Sequence, residues 1–145
     1  MLITIEYIGM DQMETQEKIF TPDEANRMLP LVKRIVEDIL AVGHGLRAIG
    51  REAHPSPRQI DAYQRGTDEL KKLFSELESL GCSYKDWNFE IGLVDFPARI
   101  DGRDVLLCWR SDEPVVRYYH SQEDGYAGRR EIPSAFQPPG DGRHR

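Results

Sequence analysis

The sequence predicts an α+β domain: a long antiparallel helical hairpin followed by a small antiparallel sheet of three to four strands. Three observations carry this. Apolar residues recur at alternating spacings of three and four over two long stretches before Gly81, which is the signature of a helix face. Between those stretches lies a short break, His54-Pro55-Ser56-Pro57, which suits a tight reversal. After Gly81 the pattern turns to the alternation of strands, punctuated by Asp101-Gly102.

Residues 1–18 read as an N-terminal arm or short strand, because Ile3, Ile5 and Tyr7 alternate before a polar run without periodicity. From Phe20 the signals sharpen. Thr21-Pro22-Asp23-Glu24 supplies an N-cap threonine, a proline at the first helical position and a glutamate placed to close a capping box. Ala25, Met28, Val32, Ile35, Ile39, Val42, Leu46 and Ile49 then mark one seam running to about Arg51. Pro30 falls inside this helix and crowds the carbonyl of Asn26, so a bend is expected there. Gly43, Gly45 and Gly50 read as sites of close packing.

Ser56 and Pro57 repeat the start signal for a second helix, with Ile60, Tyr63, Thr67, Leu70, Phe74 and Leu77 as its seam and Gly81 as the left-handed stop. The hairpin thus spans 21–81. Leu29, Val36, Leu40, Leu73 and Leu80 lie off the seam, and the sheet is the first candidate to cover them. A second copy of the hairpin is the next, which makes a homodimer through the hairpin the expected assembly.

The sheet occupies 82–132, with a short piece at Cys82–Lys85 and then Leu93–Ile100, Asp104–Arg110 and Val115–His120. Together these elements form a single domain over 19–132, and 133–145, rich in Pro, Gly and charge, reads as a disordered tail. Trp87, at the junction of helices and sheet, reads as a packing plug.

If Asp101 and Gly102 are turn residues, Val94 faces Trp109, Phe96 faces Leu107 and Ala98 faces Val105 on the core side, while Asp95 faces Cys108 and Arg99 faces Asp104 on the other. Taking Asp112 and Glu113 as the second turn puts Cys108 opposite Arg117, Leu106 opposite Tyr119 and Val105 opposite His120. The polar face then carries the row Asp95, Cys108, Arg117, flanked by Arg99 and Arg110. This is where a small anionic ligand, or a reaction at Cys108 or His120, would be sought, because nearby cations favour a thiolate. The competing reading is ordinary cross-strand charge pairs around a packed cysteine.

His120 stands before the acidic Glu123-Asp124, but the spacing matches no metal motif, so no metal and no cofactor is expected. Gly125-Tyr126-Ala127-Gly128-Arg129-Arg130 could present backbone N–H groups and the Arg129 guanidinium to an anion. Against this stands a plain loop over the sheet, with Tyr126 packed and both arginines solvated. The candidate binding residues are therefore Asp95, Arg99, Cys108, Arg110, Arg117, His120 and Arg129, with no catalytic residue assigned and enzymatic activity left open.

The charge balance excludes several classes. A net charge of -6 with a pI near 5.2 repels nucleic acid. Two cysteines, Cys82 and Cys108, are too few for a disulfide scaffold and read as free thiols. MLITIEYIGM lacks the basic start of a signal peptide, and no window approaches the roughly 20 apolar residues of a membrane span, so a cytoplasmic protein without membrane contact is expected.

FTPDEANRMLP at 20–30, GLVDFPARIDGRDVLLCWRSDEPVVRYYH at 92–120 and GYAGRREI at 125–132 together resemble a bacterial family, the domain of unknown function 2203 family. The resemblance runs from about Lys18 to Ile132. It implies a small cytosolic protein and carries no reaction, cofactor or site residue. The expectation is a self-associating binding or interaction module; the alternative is an anionic-ligand protein or enzyme using the face around Cys108.

Overall fold

Both helices begin where their local chemistry can satisfy the first free N–H groups. The computed structural model describes residues 18–136. Helix α1 (Pro22–Gly50) starts on a capping box in which Thr21 accepts from the Glu24 N–H and Glu24 accepts from the Thr21 N–H. Helix α2 (Pro57–Leu80) repeats the arrangement with Ser56 and Gln59, and stops at Gly81, whose φ of 100° only glycine adopts freely. Pro30 lies on the exposed face of α1, and the helix is continuous through it.

The seam of α1 is buried as expected at Ala25, Val32, Ile35 and Ile39, and the off-seam Leu29 and Val36 are buried with them. The sheet covers them. One core cluster joins these residues to Val94, Phe96, Leu107 and Trp109. Along α2 the expected seam is buried at Leu70 and Leu77 and half-buried at Phe74, with the off-seam Leu73 buried beside them, whereas Ile60 is 50% and Tyr63 42% exposed. The reason is Gly66, which continues the line of the buried leucines and brings α2 so close to α1 that an added Cβ would lie 2.6 Å from Leu46 Cδ2. Gly66, rather than the larger apolar residues beside it, receives Leu46 and Val42 of α1 there.

Gly43 serves a similar purpose on α1, with the Phe89 ring lying directly against its backbone. Phe89 belongs to an aromatic group with Phe74, Tyr84 and Trp87. Trp87 is not a plug: it presents edges to Phe74 and Tyr84 but stays 63% exposed.

Five strands follow in a simple antiparallel meander, β1 (Ser83–Tyr84), β2 (Leu93–Ile100), β3 (Arg103–Arg110), β4 (Tyr118–His120) and β5 (Arg130–Glu131). The β2–β3 register is the expected one from Leu93↔Arg110 to Ile100↔Arg103, set by positive φ at Asp101 (54°) and Gly102 (76°). Phe20 makes an isolated bridge to Ala98, donating its N–H to the Pro97 carbonyl at 2.7 Å, so the chain touches the sheet just before α1 begins.

The β3–β4 register differs from the sequence expectation by one residue. Cys108 pairs with Tyr118 rather than Arg117, and Leu106 with His120 rather than Tyr119. The turn closes earlier than expected, Glu113 donating its N–H to the Arg110 carbonyl, and the chain then stays out of the ladder until Tyr118. What holds it there is remote in sequence. The Asn26 side chain accepts from the Val116 N–H at 2.8 Å and donates to the Val116 carbonyl at 3.1 Å, docking this segment onto α1.

The fifth strand was too short to be read from the sequence. Order also continues past it, with a 3₁₀ turn at Ser134–Phe136 and Phe136 packed on the core, so the start of the expected disordered tail is folded. The expected N-terminal arm over 1–17 and the tail from 137 lie outside the described residues. Among the described residues, no helix is long and apolar enough to cross a membrane.

Candidate functional site

A one-residue shift in a strand moves each of its side chains to the opposite face. In β4 this shift takes Arg117 off the polar face and puts His120 on it. Asp95 on β2, Cys108 on β3 and His120 on β4 therefore meet, at 3%, 1% and 4% exposure. Asp95 and His120 are the two buried polar or charged residues among the described residues.

His120 Nε2 lies 3.3 Å from Asp95 Oδ1, and its Nδ1 lies 2.7 Å from the Ser121 carbonyl oxygen. A carbonyl only accepts, so the neutral ring carries its hydrogen on Nδ1 and turns the Nε2 lone pair toward Asp95 and Cys108. Burial raises the Asp95 carboxyl above the usual range, against the pull of His120. Burial likewise pushes the Cys108 thiol up to about 12, with Asp95 adding to the shift and Arg129 opposing it. As a free thiol Cys108 is protonated near neutral pH, which argues against a lone cysteine nucleophile.

These three residues form part of the floor of a cleft of about 280 Å³, with Lys85, Gln122 and Tyr126 among its lining residues. The loop after β4 makes one wall, turning back over the sheet through Gly125 (φ 66°) into a 3₁₀ turn at Tyr126–Gly128. A larger depression of about 490 Å³ lies at the turn end of the β2–β3 hairpin, around Arg103, Tyr119 and Arg130, and contains no buried titratable group.

Arg129 anchors that wall and is not solvated as the plain-loop reading held. Its Nη2 donates to the Cys108 carbonyl at 3.1 Å and to Glu113 Oε1 at 2.7 Å, with both side chains of the ion pair about 13–14% exposed. Its guanidinium stacks 4.2 Å from the Tyr118 ring centroid and 5.0 Å from that of Tyr126. Arg110 lies nearer the rim, chelated by Asp112 and donating to the Tyr126 hydroxyl at 2.6 Å. Tyr126 itself is 40% exposed, more open than the plain loop required.

Of the residues singled out in the sequence, the structure thus gathers Asp95, Cys108 and His120 on the floor, with Arg110 and Arg129 supporting the wall. Two do not join them. Arg99 pairs with Asp104 at 2.8 Å in an exposed cross-strand bridge farther along the face, and Arg117 is exposed. Sequence reasoning missed Glu113, which accepts from the Arg110 N–H as well as from Arg129, and the positioning residue Asn26. Neither has a local signal, since Glu113 read as a turn residue and the partner of Asn26 lies 90 positions away.

Residues 18–132 match a family described as "Uncharacterized conserved protein (DUF2203)". No curated protein and no solved structure matches the chain.

Proposed function

The chain belongs to the DUF2203 family, and we propose that in this protein the polar sheet face is a small-ligand site, centred on the cleft over Asp95, Cys108 and His120. One observation carries the reading: the only buried carboxylate and imidazole among the described residues sit beside a buried thiol at the floor of an open cleft, rather than inside the core. Burying such groups costs free energy that apolar side chains of similar size would not, so stability alone is a poor reason for them. The cleft is small, near the low end of ligand pockets, and suits a compact polar ligand. Lys85, an exposed cation on its lining whose charge acts on Asp95, favours an anionic one.

The test is amide NMR of the full chain, with chelator and separately with zinc, titrated with inorganic phosphate and a panel of small carboxylates. Shifts should centre on Lys85, Leu106, His120, Gln122 and Tyr126. Silence under both conditions, or shifts confined to the Arg103–Arg130 depression, would refute the reading.

A second reading is self-association in solution through the hairpin. The supporting observation is the exposure of Ile60 and Tyr63, two large apolar side chains one turn apart near the start of α2. Light scattering at micromolar concentration should give a dimer mass that falls to the monomer in Ile60→Glu with Tyr63→Glu; a wild-type monomer sinks it.

A further inference from the structure

The spacing of the three buried side chains is awkward for hydrogen bonds and natural for a metal ion. With its hydrogen on Nδ1, His120 Nε2 has none to give Asp95 Oδ1, so two buried acceptors face each other at 3.3 Å, where a cation between them would serve both. Two ligands of one tetrahedral zinc ion, with bonds of about 2.0–2.1 Å, stand about 3.3 Å from each other, and a thiolate at about 2.3 Å stands about 3.6 Å from either. One donor atom from each of Asp95, Cys108 and His120 lies within 4.8 Å of the others, so small side-chain adjustments complete the triangle.

The surroundings fit the same chemistry. A metal-bound histidine generally donates its other ring N–H to a carboxylate or a backbone carbonyl, which fixes the ring and its tautomer. His120 Nδ1 does so to Ser121 at 2.7 Å. The carboxylate, thiolate and neutral imidazole would together neutralise a doubly charged ion, and three different donor types suit a borderline-soft metal. All three side chains line the cleft, which gives a further ligand a way in.

We propose that Asp95, Cys108 and His120 bind one zinc-class divalent ion, through a carboxylate oxygen, Sγ and Nε2, with the fourth position left to water or to a small anion in the cleft. Three protein ligands and an open position are the pattern of reactive rather than purely structural zinc. The three-ligand centre stands on its own geometry; only the occupant of the fourth position rests on the ligand-site reading above.

The experiment is titration of the chelator-stripped full chain with cobalt(II), followed by zinc. One equivalent of cobalt should produce visible d–d bands and a thiolate-to-cobalt charge-transfer band, both abolished by one equivalent of zinc. The charge-transfer band should vanish in Cys108→Ala and persist in Cys82→Ala. Asp95→Asn and His120→Ala, confirmed folded by circular dichroism, should weaken cobalt binding by about 100-fold or more, beyond the 10–100-fold typical of losing an outer partner.

A folded wild-type chain that takes up no cobalt, or a charge-transfer band that survives Cys108→Ala, overturns the proposal. If the variants do not fold, zinc-edge absorption of the wild type decides, since it must show a single sulfur near 2.3 Å. No sulfur, or more than one, overturns it equally. The spectra need no added anion, and ligand shifts in chelator need no metal, so either reading can fail while the other stands.

Discussion

Replacing Asn26 by alanine should disturb a strand that lies 90 residues away. Its side chain satisfies both backbone groups of Val116, which is 3% exposed, at 2.8 Å and 3.1 Å. Removing it leaves a buried N–H and a buried carbonyl without partners, at about 1–3 kcal/mol each. The better helix propensity of alanine returns a few tenths to about 0.7 kcal/mol. The net loss is about 3 kcal/mol, or about 10 °C in Tm for a domain of this size. Urea unfolding should show a lower midpoint with unchanged slope. Asn26→Asp keeps an acceptor for the N–H but sets a carboxylate against the carbonyl, so it should be no better. In amide NMR, Val116–His120 should shift more than the β2–β3 hairpin. A loss below about 1 kcal/mol, or an Asp variant as stable as wild type, would refute the argument that this clamp holds β4.

Other expectations concern the rest of the frame. Burial pushes the Cys82 thiol up to about 12 against about 8.5 when unfolded, so its stabilising contribution is complete below about pH 8.5 and is lost as pH rises toward 12. Between about pH 8 and pH 10.5 the urea midpoint should therefore fall less steeply in Cys82→Ala than in wild type; equal slopes would contradict this. Gly43→Ala should cost about 1–3 kcal/mol, because its Cβ would lie 2.3 Å from Phe89 Cγ, near the root of the ring. Gly66→Ala presses chiefly on the movable end of the Leu46 side chain and gains about 1 kcal/mol of helix propensity, so it should be near neutral in the same assay; the reverse ranking would be decisive against this packing. Arg129→Ala leaves Glu113, at 14% exposure, without its cation and should cost about 3 kcal/mol by urea unfolding, with Arg129→Lys recovering only part because an ammonium lacks the planar face that lies over Tyr118 and Tyr126. Full recovery by lysine would show that charge alone matters.

The parts of the molecule legible in the sequence are those fixed by neighbouring residues. Thr21 with Glu24, Ser56 with Pro57, and Gly81 announce helix ends because caps are local hydrogen-bond problems. Asp101-Gly102 sets the β2–β3 register because two consecutive positive φ angles admit few other residues, and with it the pairing of Asp95 with Cys108. The β3–β4 register was not legible. Residues 113–117 leave the ladder and are tied instead to Asn26 and Arg129, contacts that no short window contains. Because side-chain direction has a period of two, that single residue decided which of Arg117 and His120 joined the site. Along α2 the largest apolar residues suggested one face, while close approach at Gly66 selected another.

The Asn26 clamp also bears on the order in which the chain can mature. It joins the first helix to the fourth strand, so the β4 wall cannot settle until nearly the whole folded segment has left the ribosome. Until then the β2–β3 hairpin can form by itself, with Asp95 and Cys108 side by side and no imidazole near them. A nascent or truncated chain ending before Val116 would thus display an unshielded thiol beside a carboxylate, open to oxidation and to stray metal ions. Completion of the last fifth of the chain is what turns that exposed pair into a buried three-residue centre.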